Sequence, residues 1–464
     1  MSGISSFPEK RWEESQAKLI YHKIQLLSSF MKYLRKIYHY LMALVSYLYY
    51  GRPSKKMVVI GITGTKGKST TCSLISSVLR AGGKKVGVLS TVEFRIGDKR
   101  ELNTKKMTML GRGQIHKYMR AMVKAGCEYA IIETSSEGIM QYRHKFLNYD
   151  IAVFTNLGTE HQERHGGFEN LKKDKAKLFQ ELSKNKKIIN GKKIKKVIVV
   201  NADDENSEYF LKFKAEVKYL YSLLNYPLST TDVQLLNAHI KSDNSFLVAD
   251  QEYKINLIGK FNVYNSLASI CVGRSQNISE DKIKQGIADV KLVEGRMEFV
   301  DEGQNFKVIV DYAHEALSYQ GLFESLRQQL KNVHTSAKLI AVIGSDGGGR
   351  DVGKRGKMGS IAGELCDIVI ITDVNCYDEN PQEIVEMLAE GAREKGKIDG
   401  QDLFIEVDRK KAIELAIKKA QAGDIITILG KGTEPFIGVA NGQKIPWDDR
   451  AVAREILKKY VNSK

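Results

Sequence analysis

Five cysteines, at positions 72, 127, 271, 366 and 376, are scattered along the chain with no C-x-x-C pair. Neither a disulfide framework nor a zinc site is expected, and a reducing cytoplasm suits such a chain. The polar stretch from Met1 to Lys18 lacks an apolar core, which argues against a cleavable signal peptide. Uninterrupted apolar runs are short, below the roughly twenty residues that a bilayer-spanning helix needs. No internal repeat, low-complexity tract or aromatic-rich RNA-binding signature occurs, so nucleic acid is not an expected partner. Acidic residues are in deficit, 55 against 72 Lys plus Arg, for a net charge of +17. That imbalance favours an anionic partner such as a nucleotide or phosphorylated substrate, although surplus lysine also serves solubility.

What remains is a globular composition, 42% hydrophobic and 27% charged over 464 residues, long enough for two or three domains. Its most informative stretch is Gly61-Ile-Thr-Gly64-Thr65-Lys66-Gly67-Lys68-Ser69-Thr70. An apolar run, Met57 to Ile60, precedes it, and apolar residues at helical spacing follow it to Leu79. Strand, glycine turn and helix in that order form a phosphate cradle: glycines let backbone N–H groups converge on an anion, and the helix N-terminus adds positive potential. Lys68 is placed to reach terminal phosphates, and Ser69 or Thr70 to ligate Mg²⁺.

From Met57 to about Asp289 strands and helices alternate, with strands expected at Val86-Leu89, Tyr129-Glu133, Ile151-Thr155 and Val197-Asn201. The alternation implies an α/β fold with a mostly parallel sheet. The polar residues that end these strands, Thr91, Glu133, Thr155 and Asn201, should gather around the cradle, because ligands bind beyond the carboxyl ends of such strands. Val233 to Leu257 is less regular and reads as a small antiparallel excursion. A second alternating unit starts near Glu294, with strands at Lys307-Val310, Leu339-Ile343, Ile368-Thr372, Leu403-Glu406 and Ile425-Leu429. The expected organisation is a helical segment over residues 1–56, an ATP-binding domain over 57–293 and a carboxy-terminal domain over 294–464. Residues 20 to 50 are aromatic and helical in pattern. They read as packing on the next domain, with contact to an anionic membrane surface as the alternative.

Several further motifs occur in a fixed order: Glu133-Thr-Ser135-Ser136, Thr155-Asn-Leu-Gly-Thr-Glu-His161, Lys175-Ala-Lys-Leu-Phe179, Gly259-Lys-Phe-Asn262-Val-Tyr-Asn265, Gly295-Arg296-Met-Glu298, Asp311-Tyr-Ala-His314, Arg350-Asp-Val-Gly-Lys354-Arg355 and Gly430-Lys-Gly-Thr-Glu434. Together with the cradle they resemble the Mur ligases, the match being closest to the tripeptide-forming member and covering roughly residues 57 to 450. The resemblance implies a P-loop ATPase domain followed by a Rossmann-like domain. It implies an ATP-dependent ligase that phosphorylates a carboxylate of a nucleotide-linked muropeptide and lets an amino acid's amine displace the phosphate. By similarity two Mg²⁺ ions are expected, held through Ser69 or Thr70, Glu133 and His161. Lys175 resembles the lysine that the family carbamylates with carbon dioxide. Asn262 and Asn265 are expected at adenine, or Asn262 as a helix cap; Arg296 and Asp311 are expected at the nucleotide. Arg350, Lys354, Arg355, Gly430 and Glu434 resemble the end that receives the amino acid.

Some positions depart from the pattern. Only residues 1–56 stand ahead of the ATPase domain, where the family carries a uridine-nucleotide domain, so a different grip on the acceptor is expected. Asn375 is kept from the amino-acid-selecting motif, but Tyr377 stands where an arginine favours diaminopimelate, and tyrosine supplies no bidentate cation to a second carboxylate. Thr108, Arg112, Ser135, Arg143 and His144 are candidates for substrate contacts. The rival expectations are a folylpolyglutamate-type ligase and a non-catalytic nucleotide-binding scaffold. The sequence leaves the oligomeric state open.

Overall fold

The computed structural model describes residues 22, 30–31, 34–105, 107–111, 113–158, 165–184, 186–227, 232–242, 244–333, 336–349 and 352–462. Arg112, His161 and Arg350, three of the candidates above, lie outside the described residues.

The first lobe is built on an eleven-stranded sheet. Its parallel body runs, in spatial order, Gln234–Ser242, Val217–Ser222, Val197–Asn201, Ile151–Phe154, Val58–Thr63, Tyr129–Glu133 and Val86–Leu89. Antiparallel strands extend both edges, Ser245–Val248 and Gln251–Lys254 on one side, Glu93–Ile96 and Lys99–Leu102 on the other. The irregular stretch from Val233 thus contributes one more parallel strand before it turns antiparallel. Val58–Thr63 lies in the middle and is buried at every position, as a strand covered on both faces must be. Its alternate side chains serve two cores. Ile60 and Ile62 pack under the helices Lys68–Ala81 and Lys260–Ser275, and Val59 packs under Gln114–Lys124 and Phe168–Leu182.

The second lobe holds a six-stranded sheet. Glu298–Val300 pairs antiparallel with Lys307–Asp311, and the order continues in parallel through Ile425–Leu429, Leu339–Ile343, Ile368–Ile371 and Leu403–Ile405. Every strand expected in either lobe is present, with ends shifted by at most one residue except at the cradle, where the strand expected from Met57 to Ile60 runs on through Gly61 to Thr63. Sequence patterning missed Val217–Ser222, the edge strands Glu93–Ile96 and Lys99–Leu102, Glu298–Val300 and the short hairpin Lys187–Ile189 with Lys192–Ile194, whose buried side is carried by a lysine, Lys187, beside Ile189 and Ile194.

Residues 34–49 form a helix, and one of its faces packs on the first lobe. Tyr47 stacks on Phe146 at 5.5 Å between ring centroids, and Tyr40 meets the same ring edge-on at 5.2 Å.

At the far end of the chain a buried ion pair joins three elements. Asp449 opens the helix Asp449–Asn462 and accepts two hydrogen bonds from Arg409, at 2.8 and 2.7 Å, and one from the Trp447 indole at 2.7 Å. Arg409 also donates to the carbonyl of Leu429 at the end of its strand, 2.8 Å away. Both charges are shielded from water, so removing one strands the other in a low-dielectric interior. Asp449→Asn is therefore expected to destabilise the carboxy-terminal lobe by about 3 kcal/mol. The check is its urea midpoint, and an unchanged midpoint contradicts the assignment.

Candidate active site

The carboxyl ends of both parallel sheets open onto one cleft of about 870 Å³. The cradle turn forms its floor. Gly64 and Gly67 have φ of 154° and 80°, the positive range that glycine alone adopts readily. A side chain at Gly64 would fall 1.9 Å from Thr155 Oγ1, and one at Gly67 2.3 Å from Asn265 Oδ1. These two contacts fix why glycines occupy the turn: a strand end and the helix Lys260–Ser275 press directly on its backbone. Thr155 and Asn156 brace it further. Thr155 Oγ1 donates to the carbonyl of Lys66 at 2.7 Å, and Asn156 Oδ1 accepts from the Lys66 N–H at 2.8 Å.

Cations and carboxylates meet within the cradle. Lys68 Nζ donates to the carbonyls of Gly64 and Thr65 at 3.0 and 2.8 Å. Lys175, reaching in from Phe168–Leu182, is buried and donates to the same Gly64 carbonyl at 2.9 Å. Glu133 ends its strand with Oε2 accepting from Ser69 Oγ at 2.9 Å and from the Thr91 N–H at 2.7 Å. Thr91 in turn lies 3.0 Å, hydroxyl to hydroxyl, from Thr108. Hydroxyl and carboxylate oxygens so placed are the donor set of a hard cation such as Mg²⁺, and Ser69 and Glu133 fit one.

The second lobe supplies the opposite wall. Arg296 lies over the Tyr312 ring, 4.5 Å from its centroid, and its guanidinium reaches Ser69 Oγ at 3.5 Å. Asp311 accepts the N–H groups of Met297 and Ala313 at 2.7 and 2.6 Å. Burial raises its carboxyl above the usual carboxylate range, against the pull of Arg296 and those two N–H groups. Farther along, Lys431 is fully buried and donates to Asn375 Oδ1 at 3.0 Å and to Glu434 at 3.1 Å. Asn375 donates to Asp346 at 2.6 Å and to Glu434 at 3.2 Å.

Most of the candidates therefore share this cleft. Gly64, Thr65, Lys66, Gly67, Lys68, Ser69, Thr70, Thr108, Glu133, Ser135, Arg143, Lys175, Asn262, Asn265, Arg296, Asp311, Tyr377 and Glu434 all line it, as do the strand-end residues Thr91, Thr155 and Asn201. Five expectations need correction. His144 does not line the cleft: it is 1% exposed and burial drives its imidazole down to a pKa of about 3, so it is a neutral core residue. Arg355 is likewise buried, donating to Glu379 at 2.7 Å rather than facing the cleft. Asn375 and Gly430 stand behind the lining residues, Asn375 as a bracket that holds Asp346 and Glu434 in place. Asn262 does not cap its helix; Gly259 occupies that position, and the Asn262 amide donates to the carbonyl of Ile258 at 2.7 Å while accepting from Asn265 at 3.0 Å. Sequence reading also missed Asp203, bonded by Tyr264 at 2.7 Å, and Glu315, bonded by Lys354 at 2.6 Å. Both pairs line the cleft; Asp203 follows the strand-end Asn201 by two residues, a signal that could have found it.

A phosphate cradle facing a second parallel sheet across one shared cleft defines a two-lobed, nucleotide-dependent enzyme. Comparison with known proteins narrows this. Residues 62–273 match the Mur ligase middle domain, and residues 295–432 match the Mur ligase, glutamate ligase domain. The UDP-N-acetylmuramyl-tripeptide synthetase of Treponema denticola is 37% identical, covering 90% of this chain and 79% of the relative. The enzyme of the same name from Roseiflexus sp. is 35% identical over 88% of this chain and 80% of its own length. Among solved structures, a UDP-N-acetylmuramoyl-L-alanyl-D-glutamate–2,6-diaminopimelate ligase is 28% identical with a TM-score of 0.54, over 88% of this chain and 79% of that one. The Escherichia coli FolC structure, at 17% identity and a TM-score of 0.60 over 91% of this chain and 92% of its own, shares the fold alone. The chain belongs to the Mur ligase family, and with it to the ATP-dependent ligases that form carbon–nitrogen bonds.

Proposed function

We propose that this ligase adds an amino acid to a nucleotide-linked muropeptide such as UDP-MurNAc-dipeptide, in the cytoplasm, through an acyl phosphate. The observation that carries the proposal is the convergence of Lys68, Lys175 and Glu133 on one cradle that Arg296 and Asp311 of the other lobe close from above. In the first step a substrate carboxylate oxygen bonds to the γ-phosphorus of ATP and ADP leaves. In the second the amino acid's amine bonds to the acyl carbon, phosphate leaves and the nitrogen loses a proton. Negative charge gathers in both steps, and Lys68, Lys66 and the cradle N–H groups are placed to offset it. Asn262 and Asn265 lie on the adenine side, and the Asp311 carboxylate is set to accept ribose hydroxyls. Mg²⁺, at two sites drawing on Ser69 or Thr70, Glu133, His161 and a carbamylated Lys175, supplies further charge neutralisation at the phosphates.

The carbamate has a physical motive. Two ammonium groups, that of the half-buried Lys68 and that of the buried Lys175, share one carbonyl acceptor, and like charges so close repel. Reaction of the Lys175 amine with carbon dioxide releases a proton and leaves an anion, turning that repulsion into attraction.

The amino-acid end is acidic. Asp346 and Glu434 line it and are held by Asn375, while Tyr377 presents its ring. An amino acid without a second side-chain carboxylate fits this end better than diaminopimelate does. The test is phosphate release from ATP with UDP-MurNAc-dipeptide, screened over amino acids, with mass spectrometry of the amide. Neutral or basic amino acids are expected to exceed diaminopimelate, and Tyr377→Arg to shift the ratio toward diaminopimelate by about tenfold. A clear preference of the unaltered enzyme for diaminopimelate overturns the selectivity. Turnover with a folate and glutamate instead would assign the polyglutamate reaction.

A further inference from the structure

The helix at residues 34–49 turns its more apolar face away from the protein. An amphipathic helix on a globular domain ordinarily buries its apolar stripe and exposes its polar one. Here the buried residues of the helix are His39, Ala43, Ser46 and Tyr47, two of them polar, with Tyr40 beside them against Phe146. The outward stripe is Leu34, Ile37, Leu41, Val45 and Leu48, spaced three or four residues apart and between 38% and 59% exposed. Tyr38 and Tyr49 border it. Beyond residue 50 the exposed large apolar side chains among the described residues are well separated in the sequence, and single ones of that kind are the ordinary condition of a protein surface.

Charge identifies what the stripe fits. No Asp or Glu occurs between Glu14 and Glu93. Exposed Arg35 and Lys36 stand near one end of the stripe, and exposed Arg52, Lys55 and Lys56 beyond the other. The helix is about 24 Å long at the usual rise, and no helix of the described residues is long and apolar enough to cross a membrane. An apolar stripe with tyrosines at its borders and cations at its ends matches the boundary between acyl chains and anionic headgroups. A second copy of the chain fits worse, because a two-fold contact along this stripe brings basic ends against one another.

We propose that this helix docks the enzyme on an anionic lipid surface, lying parallel to the bilayer plane. The stripe enters the headgroup and acyl boundary, and the basic ends rest on lipid phosphates. The opposite face of the helix keeps its contact with the first lobe through Tyr40 and Tyr47 on Phe146.

The test uses the full chain with vesicles of phosphatidylglycerol and phosphatidylcholine, against vesicles of phosphatidylcholine alone. Sedimentation with the anionic vesicles is expected and should weaken as salt is raised. The paired change Leu41→Glu and Val45→Glu should lower the bound fraction at least about tenfold. Because both side chains are exposed, the same variant should keep its urea midpoint and its rate of phosphate release in solution. Absence of sedimentation with anionic vesicles, or equal sedimentation of the variant, overturns the proposal. A dimer in light scattering that the variant abolishes, without vesicle binding, assigns the stripe to a second copy instead.

Discussion

Lys68→Ala should lower amino-acid-dependent phosphate release by a factor of about 10³ to 10⁵, the range seen when a cation that offsets charge on a transferring phosphoryl group is removed. Lys68 opens the helix Lys68–Ala81, and its ammonium lies against the Gly64 and Thr65 carbonyls at the centre of the cradle. Lys66 shares the turn but stands ahead of the helix that Lys68 opens; Lys175 is expected to be an anion in the active enzyme, and Arg296 comes from the opposite lobe with its guanidinium on the Tyr312 ring and at Ser69. The loss should fall on kcat, since the charge that Lys68 meets grows in the transition state. The urea midpoint of the variant separates lost chemistry from lost fold, because the bonds given up are to carbonyls at a partly buried turn. Comparable turnover by Lys68→Ala would refute the cradle as the site of phosphoryl transfer, and Lys68→Arg serves as the control that keeps the charge while changing its reach.

The cradle and both sheets were legible in the sequence because their determinants are contiguous. Glycine, lysine and hydroxyl residues in one ten-residue stretch have a single local geometry, and apolar runs bounded by turns report buried strands whichever lobe they join. Side-chain direction beyond the strand ends was not legible. His144 and Arg143 are neighbours of similar polarity, yet only Arg143 faces the cleft. Tyr142 and Phe146, on either side of His144, both take positive φ, 57° and 61°, so the chain here follows neither helical nor strand spacing. Asn375 was legible as important but not in its role, since the residues it brackets, Asp346 and Glu434, are 29 and 59 positions away. The Thr155–Asn156 brace was half legible. Its place at a strand end followed from the sheet rule, whereas its grip on Lys66 depends on how closely two adjacent parallel strands finish.

Lys175→Ala should cost a factor of about 10³ in turnover, and the nature of the recovery separates a carbamate from a plain ammonium. If Lys175 acts as an anion, short carboxylic acids such as acetate or propionate can occupy the space left by its side chain and return part of the activity, whereas alkylamines cannot. If it acts as an ammonium, the order reverses. The unaltered enzyme should also lose activity in buffer stripped of carbon dioxide and regain it on adding bicarbonate, a response that Lys175→Ala lacks. Labelled carbon dioxide should give a carbamate carbon resonance that the variant abolishes. Burial of Lys175 makes the contrast sharp: at 4% exposure its environment discriminates strongly between a cation beside Lys68 and an anion beside Lys68. Rescue by amines, or full activity without carbon dioxide, overturns the carbamate and leaves Lys175 as a second phosphate-facing cation.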